Sequence, residues 1–424
     1  MIKKIIKKLN CLVYMLALTA SVIIFQCGFF APKKLPQGVV VNGTEVGGLT
    51  ISKAAETLRG NIESELKTKS LKIVADGYVY KFCYPEIYYT DNIYSVLKYA
   101  QKNQSYTAEI SYYLCGLDEI ATGICLSFAK NAVEPYAEFS KFQQPFKYFE
   151  GSDGKEVDRA KLIDDVNKSL CGNFEDVKLK FNSIKRQKTL DEVKKKTRLL
   201  QSFTTYFDGT NINRSSNIRL AAAKLNGTVI EAGKTLSFND IVGARVKERG
   251  FLPAKIIENG EFTEGVGGGV CQVSTTLYNA AILSGLEIKE YHPHSLAVGY
   301  VAPSRDAMVS GSACDLKITN NRTCPVYIRA HTSNGSVTFD IYGESDGKSY
   351  SFISSVTGSV PAPEETTDDP LKARDGKDGI LSEGYLEVTQ NGYKKTVKLR
   401  KDKYQPVKKV IFETTEEPAQ NIEP

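Results

Sequence analysis

One cysteine of this chain stands where a thiol could act as a nucleophile. Cys271 follows three consecutive glycines in "EGVGGGVCQVSTTLYNAAILSG" and opens a segment with helical periodicity. A thiol in the first turn of a helix ionises easily, because unpaired N–H groups and the helix dipole favour an anion there. The glycines would let a substrate come close to the sulfur. The sequence thus predicts either a presented nucleophile or a tight structural turn.

A thiol nucleophile needs a base and a group that orients this base. His292 and His294 follow Cys271 after one predicted helix and one short predicted strand, and Asp306 is the nearest carboxylate downstream. These residue types predict a catalytic arrangement of Cys271, His294 and Asp306. Two other interpretations remain open at this point, which are a binding groove without catalysis and a purely structural scaffold.

The binding interpretation makes its own residue prediction. The residues expected to line such a groove are those next to Cys271 in the sequence and the first histidine of the HPH motif. They are Gly267, Gly268, Gly269, Gln272, Ser274 and His292. A metal site made of Cys271, His292 and His294 is a rival, but no second cysteine or carboxylate is placed beside them. We therefore expect no metal and no cofactor.

The elements that must position these residues indicate an α+β fold. A helix followed by a strand is predicted twice, around residues 52–75 and 158–185, which suggests two related units. The segment from Asp91 to Lys147 is rich in Tyr and Ala and is expected to be largely helical. Asn-Gly and Asp-Gly pairs predict hairpin turns at Asp76-Gly77, Asn334-Gly335 and Asn391-Gly392.

The N-terminus has the pattern of a membrane anchor. Four lysines precede residues 12–31, which carry no formal charge and are about long enough to span a bilayer. Basic residues before the apolar run predict a single-pass membrane protein with the bulk of the chain extracellular. A cleaved signal peptide and lipidation at Cys27 are the alternatives. The segment lacks an A-x-A cleavage site, and no small residue precedes Cys27.

The overall charge gives no case for nucleic-acid binding. The formal net charge of the 424 residues is +6, and the four N-terminal lysines account for most of it.

Seven cysteines follow the predicted anchor, so at least one is unpaired within the chain. Cys115 with Cys125, and Cys314 with Cys324, are close enough in sequence to form disulfides. Alternatively, several of these cysteines are simply buried small residues.

Residues 198–344 resemble the VanW family, which is named for a vancomycin-resistance accessory protein. The resemblance rests on "GGGVCQVSTTLYNA", "HPHS", "SRDAMV" and "DLKITNN". Ser304 and Arg305 stand where the family usually has a glycine, in a P-x-G-x-D-A pattern. The resemblance implies a surface protein of a Gram-positive bacterium that works on the cell wall.

Two flanking regions show weaker resemblances, which set the expected domain organisation. Residues 38–195 are similar to the peptidoglycan-binding region that commonly precedes such domains. Residues 379–424 are weakly similar to a G5 module and are expected to be partly disordered. An anchor or signal peptide over 1–31, a VanW-like domain over 198–344 and a linker over 345–378 complete the expected order.

The function expected from the sequence is binding of peptidoglycan or its precursors by a membrane-anchored, extracytoplasmic protein. The first alternative is a peptidoglycan amide hydrolase or acyl transferase that uses Cys271, His294 and Asp306. A second alternative is a structural partner of other envelope proteins.

Overall fold

The computed structural model describes residues 33–142, 144–258, 261–311 and 313–413. In this part of the chain more residues lie in strands than in helices, and no helix is long and apolar enough to cross a bilayer. The expected α+β class with a membrane helix is therefore corrected to a mixed fold in which strand predominates. The single-pass membrane localisation is corrected by the same finding. Residues 12–31, on which the anchor prediction rested, lie outside the described residues.

The first part of the chain alternates short strands and helices. Its elements are, in order, β1 (Val40–Val41), β2 (Thr44–Glu45), α1 (Ile51–Leu66), β3 (Leu71–Ala75), β4 (Tyr78–Phe82), β5 (Ile87–Asp91), α2 (Ile93–Lys98), β6 (Ser105–Tyr106), β7 (Ile110–Leu114), α3 (Leu117–Phe128), β8 (Tyr136–Phe139), β9 (Phe146–Phe149), β10 (Gly154–Val157), α4 (Arg159–Cys171), β11 (Val177–Lys178) and β12 (Phe181–Ile184).

The second part has longer strands and one fully buried helix. Its elements are, in order, α5 (Leu190–Lys195), β13 (Arg198–Tyr206), α6 (Ile212–Leu225), β14 (Thr228–Ile230), β15 (Thr235–Ser237), α7 (Phe238–Val242), β16 (Pro253–Glu258), β17 (Glu261–Val266), α8 (Val270–Leu283), β18 (Glu287–Glu290), β19 (Lys317–Thr319), β20 (Val326–Ser333), β21 (Ser336–Gly343), β22 (Ser349–Val360), β23 (Glu364–Thr367), β24 (Gly379–Gln390), β25 (Tyr393–Tyr404) and β26 (Lys409–Phe412).

The chain divides into two compact units, and the first contains both predicted helix-then-strand segments. This unit holds the residues up to Glu134 together with Gly151–Gln187. Strand β3 pairs antiparallel with β4 across the Asp76-Gly77 turn and parallel with β11. The strands that follow α1 and α4 therefore lie side by side in one sheet.

The expectation of a largely helical segment from Asp91 to Lys147 is wrong. The segment holds two short helices, α2 and α3, among several strands. Exposure alternates along β7, where Tyr112 is half-buried and Tyr113 is exposed, and Tyr106 lies in β6. Tyrosine favours strands, where a half-buried pleated surface suits its ring. The tyrosine content was thus a strand signal.

The second unit is built around α8. It comprises Pro135–Glu150 and the chain from Lys188 onward. Strands β13, β21, β20 and β14 form a four-stranded sheet in this order, and α8 lies against β13 and β21. Nearly every side chain of α8 is buried, which its apolar and small residues allow on all faces. This burial holds the start of α8 in a fixed position.

The region expected to be a linker and a partly disordered tail forms sheets over its described residues. Strands β22, β24 and β25 form a three-stranded antiparallel sheet, with Asn391-Gly392 at the β24–β25 turn. Phe352 of β22 is buried in the same core as α8, with its ring centroid 6.1 Å from that of Tyr278. The C-terminal sheet is thus packed into the second unit.

The cysteines of the described residues form no disulfide. All seven of them are free thiols, so neither of the two pairings considered from the sequence is present.

Candidate active site

The three glycines before Cys271 form the turn that starts α8. A Cβ atom on Gly268 would lie 2.6 Å from the carbonyl oxygen of Lys255, and Gly269 caps the helix with a φ of +103°. Gly267 also has a positive φ. A side chain would be strained or would clash at each of these positions. The packing of the turn therefore requires the glycines, and this packing sets where Cys271 begins the helix.

Cys271 is the second residue of α8, and its thiol is half-buried. The Sγ atom lies 3.3 Å from the carbonyl oxygen of Val309. The backbone N–H of Cys271 makes no hydrogen bond with any residue that the structure describes. Burial is the largest single influence on the thiol, and it raises the pKa. The hydrogen bond to His294, together with the positive charges of His294 and Arg245, outweighs burial. The pKa of Cys271 is therefore lowered.

His294 is the basic side chain that interacts with this thiol. Its side chain is 5% exposed, and Nδ1 lies 2.7 Å from Oδ2 of Asp306. Because Nδ1 is engaged there, Nε2 is the nitrogen left for Cys271. Burial lowers the pKa of His294, but hydrogen bonds and charge from Asp306 and Cys271 outweigh burial and raise this pKa to about 9. Each group thus stabilises the charged form of the other, the thiolate of Cys271 and the imidazolium of His294.

Asp306 is the group that orients His294. It is 1% exposed, and its Oδ2 atom also accepts the backbone N–H of His294 at 2.7 Å. Its Oδ1 atom accepts the hydroxyl of Tyr404 at 2.5 Å, and Nη2 of Arg400 lies 3.4 Å away. Burial raises the pKa of Asp306, but His294, Arg400 and Tyr404 outweigh burial, so this pKa is lowered. Asp306 is therefore a buried carboxylate with partners on both oxygens.

Two further side chains act electrostatically on the thiol. Arg245 is half-buried, donates to Asn239 and lies over the ring of Phe238 at 5.7 Å, and its charge lowers the pKa of Cys271. The hydroxyl of Tyr300 is near the same sulfur, and burial followed by the Cys271 charge raises the pKa of Tyr300. Tyr300 is therefore a neutral hydroxyl beside the thiolate.

The other residues predicted to line a groove have partners within the fold. The buried amide of Gln272 donates to Thr205 and to the carbonyl of Tyr206, and accepts from Arg214. Ser274 is also buried and donates to Ala307 at 2.6 Å.

The first histidine of the HPH motif, His292, is not part of the chain of contacts that links Cys271, His294 and Asp306. Nε2 of His292 lies 3.0 Å from Oε1 of Glu290, a carboxylate that also pairs with Lys317. The structure therefore places Cys271, His294 and Asp306 together, and engages His292 elsewhere. No group of three or more potential ligands could hold a metal ion within the described ranges.

An open cavity lies beside the glycine turn. It has a volume of about 590 Å³ and is lined by the start of α6 and by the β16–β17 hairpin. Its polar lining includes Asn211, Asn213 and Lys255. Gly268 packs directly on Lys255, so this cavity wall continues into the turn that precedes Cys271.

The same region of the chain matches a known family. The model of that family, described as VanW like protein, matches residues 213–342. This chain carries a VanW-like domain. The matched residues include Cys271, His294 and Asp306, and the domain continues in the structure into the sheet formed by β22, β24 and β25.

Two curated proteins are similar to the VanW-like domain. "Uncharacterized protein YoaR" of Bacillus subtilis is 42% identical over 146 residues, which are 34% of this chain and 48% of that protein. "Vancomycin B-type resistance protein VanW" of Enterococcus faecalis is 33% identical over 125 residues, 27% of this chain and 44% of that protein. The chain thus spans about half the length of the curated relatives it matches. No solved structure matches it.

Sequence reasoning missed the residues that support Asp306 from outside the matched segment. Arg400 and Tyr404 lie on β25, in the region that was interpreted as a weakly G5-like, partly disordered tail. Their only local signal is the alternation of Arg400, Asp402 and Tyr404, which places three polar side chains on one face of a strand. No property of the sequence indicated that this face is buried against Asp306.

Proposed function

We propose that this chain is a cysteine-dependent hydrolase or acyl transferase that acts on amide bonds of peptidoglycan or its precursors. One observation carries the proposal. The half-buried thiol of Cys271, at the start of a buried helix, interacts with His294, and Nδ1 of this histidine is held by the buried carboxylate of Asp306. This is the order of groups that an activated thiol nucleophile requires.

The first half of the reaction forms a thioester. The Cys271 thiolate attacks the carbonyl carbon of the amide, which forms a C–S bond and moves the carbonyl electron pair onto oxygen. The unpaired N–H of Cys271 at the helix start can donate to this oxyanion. When the oxyanion collapses, the C–N bond breaks and the imidazolium of His294 gives its Nε2 proton to the leaving amine. Asp306 keeps the ring oriented throughout.

The second half releases the acyl group. Neutral His294 takes a proton from water, or from an acceptor amine, as this nucleophile attacks the thioester carbonyl. The C–S bond then breaks, which regenerates the thiolate beside an imidazolium. Water as the nucleophile gives hydrolysis, and an amine gives acyl transfer.

The substrate class follows from the relatives and from the cavity. One relative is named as a vancomycin resistance protein, and the resemblance to its family implies a role at the cell wall. The cavity beside the glycine turn has a polar lining that includes Asn213, Lys255 and Glu264, in a volume suited to a few peptide residues. These observations support a wall stem peptide as the substrate.

The test is incubation of the purified chain with muropeptides, followed by mass spectrometry of the products. We expect Cys271→Ser to lower the rate at least about a thousandfold, because serine lacks the low pKa of the thiol. Cys314→Ser is the matched control and is expected to react at the wild-type rate. Full activity in a folded Cys271→Ser variant would contradict the proposal.

A second candidate is binding of wall peptides without catalysis, which the cavity alone would support. In this case wild-type protein would bind muropeptides without turnover, and Cys271→Ala would bind them equally well. Lys255→Ala, which changes the cavity lining, would weaken that binding. Calorimetric titration of the three proteins with one muropeptide separates this candidate from the enzyme.

A further inference from the structure

Strand β25 buries an unusual set of side chains. Arg400, Asp402 and Tyr404 occupy alternate positions and are buried, whereas Lys401 and Lys403 between them are exposed. Burying a guanidinium and a carboxylate is costly unless each is paired and hydrogen-bonded. A strand that needed only to cover the core would carry apolar residues on this face. The polar face therefore calls for a functional explanation.

These side chains converge on the candidate active site. Tyr404 donates its hydroxyl to Oδ1 of Asp306 at 2.5 Å, and Arg400 donates to the backbone carbonyl of Asp306 at 2.7 Å. Asp402 accepts from Nε of Arg400 at 2.6 Å and so holds the guanidinium in place. The contacts to Asp306 cross 94 to 98 residues of sequence.

The same sheet also holds the turn that leads into Asp306. Ser304 has a φ of +62°, a conformation in which a side chain is strained. Its N–H donates to the hydroxyl of Tyr404, and its own hydroxyl lies 2.7 Å from that of Ser382 on β24. These contacts stabilise a turn that a glycine would adopt without help.

We propose that Tyr404 and Arg400 are positioning residues for the cysteine site, so that the C-terminal sheet is part of the catalytic unit. This inference rests on the proposed function. With Oδ1 of Asp306 occupied by Tyr404, Oδ2 is directed at Nδ1 of His294. The imidazole is then held with Nε2 toward Cys271. Asp306 also stays ionised, which stabilises the imidazolium and, through it, the thiolate.

The experiment measures the pH dependence of Cys271 alkylation by iodoacetamide, followed on the Cys271 peptide by mass spectrometry. The variants are Tyr404→Phe and Arg400→Lys in the full chain, with thermal melting as the folding check. Tyr385→Phe is the matched control, because Tyr385 donates to Glu383 on the same sheet and does not contact Asp306. A role confined to folding would change the melting temperature and leave the alkylation midpoint unchanged.

We expect both variants to raise the alkylation midpoint of Cys271 by roughly half to one pH unit, with the control at the wild-type value. If Tyr404→Phe does not fold, Arg400→Lys decides the question alone. Wild-type midpoints in the folded variants would overturn the positioning role and leave the proposed function intact. An ordinary thiol midpoint in the wild-type protein would instead contradict the proposed function.

Discussion

Cys271 and Cys314 belong to the same unit and are both half-buried, but their thiols are influenced in opposite directions. Burial is the largest influence on each and raises the pKa of both. At Cys314 the negative charges of Glu290 and Cys271 raise the pKa further. At Cys271 the hydrogen bond and charge of His294, with the charge of Arg245, reverse the effect of burial. The interaction with His294, rather than burial, distinguishes the thiol of Cys271 from that of Cys314.

A third cysteine shows that a nearby cation is not sufficient. Cys125 lies near the end of α3 in the first unit, where burial raises its pKa and the charge of Arg159 opposes this. Burial prevails there, because the exposed guanidinium of Arg159 is directed to Asp118 instead. The comparison indicates that a cation must be held against the sulfur to ionise it, as Asp306 holds His294.

Removal of the His294 imidazole is expected to have the largest effect, because it should abolish the difference in pKa between Cys271 and Cys314. We expect His294→Gln to lower activity on muropeptides by about 10²–10⁴-fold, because both the proton transfer and the stabilisation of the thiolate are lost. The alkylation midpoint of Cys271 should rise to about 8.5 or above, as for an unperturbed or buried thiol. His292→Gln is the control, since His292 contacts Glu290. A loss of activity in the control of the same size as in His294→Gln would contradict the assignment.

A change of pH should act on the same pair with a smaller effect. The charged pair exists between the lowered pKa of Cys271 and the raised pKa of His294, about 9. As the pH rises through about 9, the proton that His294 gives to the leaving amine is lost, and so is the stability that the protonated ring contributes to the fold. We expect kcat/KM to fall about tenfold per pH unit above this value. A fall beginning near pH 6.5, the usual histidine range, would contradict the raised pKa.

The three residues of the candidate site could be predicted because each lies in a short stretch with a chemical signature. Cys271 opens a helix after a glycine run, and His294 and Asp306 follow within 35 residues of it. Their supports could not be predicted in this way. Arg400 and Tyr404 are 94 and 98 residues from Asp306 in the sequence, and no local pattern encodes a contact over such a distance.

For the fold as well, features set by neighbouring residues could be predicted, whereas features set by long-range packing could not. The hairpin turns at Asp76-Gly77 and Asn391-Gly392 were predicted, since each pair has positive φ values that suit Asp, Asn and Gly. The segment from Asp91 to Lys147 was misjudged, because its Tyr and Ala content was taken to indicate helix, whereas Tyr106, Tyr112 and Tyr113 lie in strands β6 and β7. Substrate approach and a tight structural turn were both considered for the glycines before Cys271, and the close packing of the β16 backbone against Gly268 fits the structural turn.

The most direct test of this account compares the two thiols of the second unit in one sample. Wild-type protein is alkylated briefly at a series of pH values, and the modified Cys271 and Cys314 peptides are quantified by mass spectrometry. The account predicts a midpoint for Cys271 below about 8.5 and a midpoint for Cys314 above that value. A Cys271 midpoint equal to or higher than that of Cys314 would contradict the claim that His294 and Asp306 activate this thiol.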